Sequence, residues 1–182
     1  MARQYDINTS ADELLKDLSG EVRNKVVLTT GVAPGGLGGT FMEYIATAQP
    51  ALLIFASRST KKAQTVADAI AEKSPEVKVR LLELDLGSLQ AVREAAKTVN
   101  SWGDVPQIDV LVNNAGIMAT DYSLTPDGFE SQFGTNHLGH FLFSNLIMDK
   151  ILAAKVPRVV SVSSDGHRLN PIRWLTTTSV LV

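Results

Sequence analysis

The chain has 182 residues, 45% of them hydrophobic and 20% charged, with a net charge of -2 and no basic run. That balance suits one globular domain with its own core, and it argues against a dedicated nucleic-acid surface or a polybasic membrane anchor. The absence of cysteine excludes disulfides, thiolate chemistry and cysteine-ligated zinc, and no stretch approaches the roughly 20 apolar residues of a membrane span.

Residues 1–24 read as a polar N-terminal extension. Its first residues lack the apolar h-region of a signal peptide, so a cytoplasmic chain is the expectation. Ser10-Ala11-Asp12-Glu13 has the form of a capping box, and Leu14, Leu15 and Leu18 follow on one helical face. From there strands and helices alternate. Lys25 to Thr30 is a short β-branched run, Leu37 to Ala48 a helix, and Ala51 to Ala56 a second buried strand. Thr60 to Lys73 is a helix with Ala63, Val66, Ala67 and Ile70 at helical spacing, and Val77 to Leu84 is a third strand. Ser88 caps a helix to about Trp102, and Ile108 to Asn113 is a fourth strand. A turn at Thr125-Pro126-Asp127-Gly128 leads into one long helix over about 129–154, and Arg158 to Ser163 is the fifth strand. Apolar strands alternating with helices predict an α/β doubly wound parallel sheet of five strands, ordered 3-2-1-4-5, in a single domain over 1–182.

Between the first strand and the next helix stands Thr30-Gly31-Val32-Ala33-Pro34-Gly35-Gly36-Leu37-Gly38-Gly39. A glycine turn that follows a strand and opens a helix lets the backbone approach a pyrophosphate, with the helix N-terminus supplying N–H donors. A bare flexible loop is the bland alternative; the strand-turn-helix context favours dinucleotide binding. An NAD site places an acid about 20 residues on, at the end of the second strand. Here that strand ends Ala56-Ser57-Arg58-Ser59, followed by Lys61 and Lys62. A guanidinium suits a phosphate and has no partner on a bare ribose hydroxyl, so NADP(H) is expected over NAD.

These residues resemble the Thr-Gly-x-x-x-Gly-x-Gly element of the short-chain dehydrogenase/reductase family, in particular fungal and retinol-dehydrogenase-like members. Gly31, Gly36 and Gly38 take the glycine roles, with Leu37 between the last two, and Pro34-Gly35 absorbs one extra residue as a turn. The resemblance extends to Asp85-Leu86 after the third strand, which implies an adenine contact. It extends also to Asn113-Asn114-Ala115-Gly116, which implies a ledge beside the adenine ribose. It implies a reaction as well: hydride transfer between NADP(H) and an alcohol or carbonyl substrate, possible homo-oligomers in full-length relatives, and no metal. Within Thr135-Asn136-His137-Leu138-Gly139-His140-Phe141, Asn136 matches the family's water-holding asparagine, and Ser164 matches its catalytic serine. His137 and His140 stand three apart with no acid nearby, a poor metal pair.

The family's remaining pair, Tyr-x-x-x-Lys, puts a tyrosine and a lysine one helical turn apart. Tyr5, Tyr44 and Tyr122 are followed four residues on by Thr9, Ala48 and Pro126, and no lysine occurs after Lys155. Residues 175–182 match nothing expected of the family. The expectation is therefore a front half whose reading frame breaks after Trp174, with an impaired enzyme, an exposed fifth strand and marginal solubility. Two other readings stand beside it: a non-catalytic nucleotide-binding module, and a fragment without function.

Overall fold

The computed structural model describes residues 5–168. The tail at 175–182 and the region around Trp174 lie outside the described residues. Five parallel strands form one sheet in the order β3-β2-β1-β4-β5: β1 Val26–Thr30, β2 Leu52–Ser57, β3 Val79–Glu83, β4 Val110–Asn113 and β5 Arg158–Ser161. This is the expected doubly wound sheet, with strand ends shifted by one or two residues, the usual uncertainty of such boundaries.

Each strand of the centre is apolar on both sides because helices cover both faces. On one face Leu28, Ile54, Leu82 and Leu111 pack with Val92, Ala96 and Val99 of α4 (Leu89–Ser101), and with Phe143, Ile147 and Ile151 further on. On the other face Val27, Leu53, Phe55 and Val112 meet Met42 and Ile45 of α2 (Leu37–Ala46), and Ala63, Val66 and Ile70 of α3 (Thr60–Lys73). Each fully buried Leu, Ile or Phe contributes about 1.5–3 kcal/mol through the apolar area it hides. At the rim, α1 (Ala11–Val22) begins at the expected capping box: Ser10 Oγ accepts from the Glu13 N–H, and Glu13 Oε2 accepts from the Ser10 N–H at 3.0 Å.

The single long helix expected over 129–154 is corrected. The segment starts two residues late as a short turn, α5 (Ser131–Phe133), because the Glu130 carboxylate accepts the N–H groups of Gln132 (2.9 Å) and Phe133 (2.7 Å). It then widens into a π-turn, Gly134–Gly139, before resuming as α6 (His140–Leu146). It breaks again at Ile147 (φ -105°, ψ 10°) ahead of α7 (Met148–Leu152). There Asn100 Nδ2 donates to the Leu146 carbonyl at 2.9 Å, which draws that carbonyl toward α4 and out of the helical ladder. Hydrophobic spacing barely distinguishes a π-turn from an α-turn, so the sequence pattern runs smoothly through both features.

The remaining edge follows expectation. All four residues of β5 are exposed, with Val159 and Val160 each 45% accessible.

Candidate functional site

Strand β1 pairs with β2 on one side and β4 on the other, and the helices that follow β1 and β4 lie on opposite faces. The crevice where the sheet changes direction, at the carboxyl ends of these strands, is where such folds bind ligands. Two clefts open there and share a ledge, Asn114 to Ile117.

The smaller cleft, about 400 Å³, is lined by Gly31, Leu37, Arg58, Lys62, Leu86 and the shared ledge, among others. The backbone approaches it as closely as the glycine motif requires. Gly31 has φ +75°, and a Cβ there would stand 2.7 Å from Ala115 Cα; one on Gly38 would stand 2.6 Å from Asn114 Nδ2. The extra residue is accommodated as expected. The Gly36 N–H bonds to the Ala33 carbonyl at 3.2 Å, closing a turn over Pro34 and Gly35 that points outward. Gly36 is the residue before α2, and Gly38 is buried behind the cleft wall.

The helix termini differ in a telling way. Helices α1, α3 and α4 each begin at a serine, Ser10, Ser59 or Ser88, whose side chain accepts a backbone N–H. Helix α2 begins at Gly36 with no side-chain cap. Its first N–H groups keep their donor capacity, and its dipole end stays free for an anion. Leu37 remains 78% exposed beside them. Arg58 and Lys62 stand exposed on the same cleft, at the start of α3.

Asp85 is drawn into its own loop, where Oδ1 accepts from the Gly87 N–H at 2.9 Å; Leu86 faces the cleft. Asn114 closes the cleft floor, donating from Nδ2 to the Thr30 carbonyl at 2.9 Å. Asn113 turns the other way, into the larger cleft, where Nδ2 donates to Ser144 Oγ at 3.0 Å. Its Oδ1 is buried and has no hydrogen-bond partner among the described residues, a state that costs about 1–3 kcal/mol when it persists.

The larger cleft, about 810 Å³, brings Asn136 and Ser164 together with the ledge, His137, His140 and Phe141. Asn136 lies in the π-turn, a helix irregularity that recurs at functional sites. Its side chain clamps one residue of the ledge, accepting from the Ile117 N–H and donating to the Ile117 carbonyl, each at 2.8 Å. Ser164, just past β5, is exposed, and its Oγ accepts from the Gly166 N–H at 3.1 Å. His140 is different in kind from its neighbours. It is buried, and burial pushes its pKa below the ordinary 6.5; the Asn136 carbonyl opposes the shift and the charge of His137 adds to it. Among the described residues no group of three His, Asp or Glu is placed to hold a metal ion.

Sequence reasoning missed Thr30 and His140. Thr30 was visible in the Thr-Gly element, and His140 follows Asn136 by one helical turn; neither position is informative until the fold stacks the segments. It also missed Asp127, whose Oδ2 crosses 38 residues to accept the Leu89 N–H at 2.8 Å at the start of α4.

A five-stranded doubly wound sheet with a glycine turn, an uncapped helix and an asparagine ledge defines a dinucleotide-binding fold. Residues 25–175 match the short chain dehydrogenase family, and the chain belongs to that family, whose members are oxidoreductases using a nicotinamide cofactor. It is 40% identical over 173 residues to a short-chain dehydrogenase/reductase of Penicillium rubens, covering 92% of this chain and 49% of that protein. It is 37% identical over 147 residues to human retinol dehydrogenase 13, covering 80% and 43%. A crystal structure of a protein from Mycobacterium paratuberculosis superposes with a TM-score of 0.64 at 40% identity, covering 82% of this chain and 50% of that one. The chain thus spans about half the length of these relatives. No helix among the described residues is long and apolar enough to cross a membrane.

Proposed function

We propose that this chain binds NADP(H) in the smaller cleft and presents its reactive end to an alcohol or carbonyl substrate in the larger one. The observation that carries the reading is the uncapped N-terminus of α2 opening onto the same cleft as Arg58 and Lys62. One group of open N–H donors suits a pyrophosphate. Two cations a strand away suit a second, separate phosphate, the 2′-phosphate that distinguishes NADP(H) from NAD(H). Gly31, Gly36 and Gly38 keep the pyrophosphate path clear, with Leu37 beside it. Leu86 borders the adenine, with Asp85 shaping its loop, and Asn114, Ala115 and Gly116 form the ledge at the ribose, while Asn113 braces that ledge from the larger cleft.

When bound, the cofactor supplies the hydride, and the protein's part is orientation and proton handling. Ser164 hydrogen-bonds the substrate oxygen. Asn136, fixed by its two bonds to Ile117, holds the substrate-side turn in register with the ledge. The 182 residues contain no tyrosine followed four residues later by lysine, and a serine hydroxyl alone is a poor proton donor at neutral pH. This stretch by itself is therefore expected to bind cofactor without efficient turnover.

Titration of the chain with NADPH and NADH, followed by nucleotide fluorescence, tests the reading. NADPH is expected to bind at least about tenfold tighter, with the preference lost in Arg58→Ala because a charge-assisted phosphate contact goes with the side chain. Equal affinity for the two nucleotides in the unaltered chain would remove the NADP(H) assignment. Oxidation of NADPH with a panel of carbonyls then separates an enzyme from a binding module.

A further inference from the structure

A hydrogen-bonded ring closes beneath the ledge shared by the two clefts, and one of its members has no part in the chemistry above. Thr30 Oγ1 accepts the N–H groups of Asn114 and Ala115, each at 3.0 Å, and lies 2.8 Å from His140 Nε2. His140 Nδ1 lies 3.1 Å from the Asn136 carbonyl. The Asn136 side chain holds Ile117, from which the backbone returns to Ala115 and Asn114.

These partners fix the protons. A carbonyl only accepts, so Nδ1 carries the hydrogen and donates it to Asn136. Both lone pairs of the Thr30 hydroxyl are taken by backbone N–H groups, so its single proton is donated to Nε2. His140 is therefore neutral, in the Nδ1–H form, and a second proton on Nε2 would face a hydroxyl with no lone pair left. The other titratable groups on its cleft are His137, on its own helical segment, and His167, in the segment after β5. The neighbours it bonds, Thr30 and Asn136, carry no charge.

We propose that His140 is a positioning residue that ties the floor of the nucleotide cleft to the Asn136 turn, so that nucleotide binding and the substrate-side geometry are set together. Thr30 precedes Gly31, where a Cβ would stand 2.7 Å from Ala115 Cα. Without an acceptor at Nε2 the Thr30 hydroxyl is free to rotate, and its lone pairs leave the two N–H groups that hold the ledge. Without the Nδ1 donor the widened turn at Asn136 loses its internal brace. The proposal rests on the NADP(H) reading.

Two measurements test it. Nitrogen-15 spectra of histidine side chains in the nucleotide-free chain at pH 7 are expected to show His140, assigned by its loss in His140→Gln, as the neutral Nδ1–H tautomer. The Nε2–H tautomer or a charged ring would overturn the ring as drawn. NADP⁺ affinity by calorimetry supplies the second readout. His140→Phe, which fills the space but makes neither bond, is expected to weaken NADP⁺ by about tenfold, the scale of leaving buried polar groups unpaired. His140→Gln, which fills the space less well but offers an acceptor to Thr30, is expected to recover part of that loss. A packing role predicts the opposite order, with Phe better than Gln, and that result overturns the proposal. So does unchanged affinity in both variants. If His140→Phe does not fold, His140→Gln against the unaltered chain and the tautomer still decide. An unaltered chain that binds no NADP⁺ defeats the NADP(H) reading and this proposal together; binding that ignores the variants defeats the proposal alone.

Discussion

Strands β2 and β5 are alike in sequence and unlike in circumstance. Both are short, rich in aliphatic residues and paired in parallel to a neighbour nearer the centre. In β2, Leu53, Ile54, Phe55 and Ala56 are all fully buried between α2 and α3 on one face and α4 on the other. In β5 the valines stand almost half exposed. The difference lies in what the rest of the described chain offers each strand, since local preference is the same in both. The flank proposed to hold the nucleotide draws its cover from helices that follow directly in sequence. The flank proposed to hold the substrate is positioned by the pairing of β5 with β4 and by the irregular segment that carries Asn136.

Truncating one side chain in each strand gives the largest contrast. Ile54→Ala is expected to cost about 2–5 kcal/mol, since it leaves a cavity in a close-packed core. Val160→Ala is expected to cost no more than about 0.5 kcal/mol, the range of surface substitutions away from special features. Urea unfolding of both variants reads the difference. Comparable losses would mean that β5 is covered in solution, and the contrast between the flanks would collapse.

The same contrast explains what was legible in the sequence. Strand runs, helix caps at Ser10 and Ser88, and the glycine turn are local signals, each set by residues within a few positions of one another. They yielded the sheet order and placed Gly31, Leu37, Arg58 and Lys62 on one cleft. The substrate flank depends on contacts between distant segments. The break at Ile147 follows from Asn100, and the state of His140 from Thr30 far up the chain. No periodicity marks such partners before the fold brings them together. Asp85 shows the reverse case: its motif was legible, yet its carboxylate is engaged with Gly87 in its own loop.

A smaller effect tests how the two flanks are joined. Asp127 sits in the loop leading to the Asn136 segment and caps α4, a helix packed on the nucleotide flank. Asp127→Ala is expected to lower stability by about 1 kcal/mol, the usual worth of a capping side chain. The same change should raise hydrogen exchange over 120–130 ahead of exchange in β1 and β2. Uniform acceleration across the sheet would show instead that the loop and the core open as one unit.

The smallest expected effect concerns the other edge of the sheet, β3, where a surface assembly stands beside the core contacts of Leu82. The Arg80 guanidinium lies 4.8 Å from the centre of the Trp102 ring and forks onto Asp104, with contacts of 3.1 and 2.5 Å. The hydrogen bond from Arg80 holds the Asp104 carboxyl below its ordinary 3.8. A depressed folded-state pKa means that the unfolded chain binds the proton more readily. The pair therefore stabilises the fold above about pH 4, and that contribution is lost as pH falls through the lower folded value. Asp104 is two-thirds exposed, so water and salt screen the attraction and the effect is slight. Urea midpoints of the unaltered chain and Asp104→Asn should differ a little at pH 7 in low salt, and converge both in acid and in high salt. A gap that survives high salt would show the Arg80 fork to be shielded from water, and β3 would then be a covered edge in the sense that β5 is not.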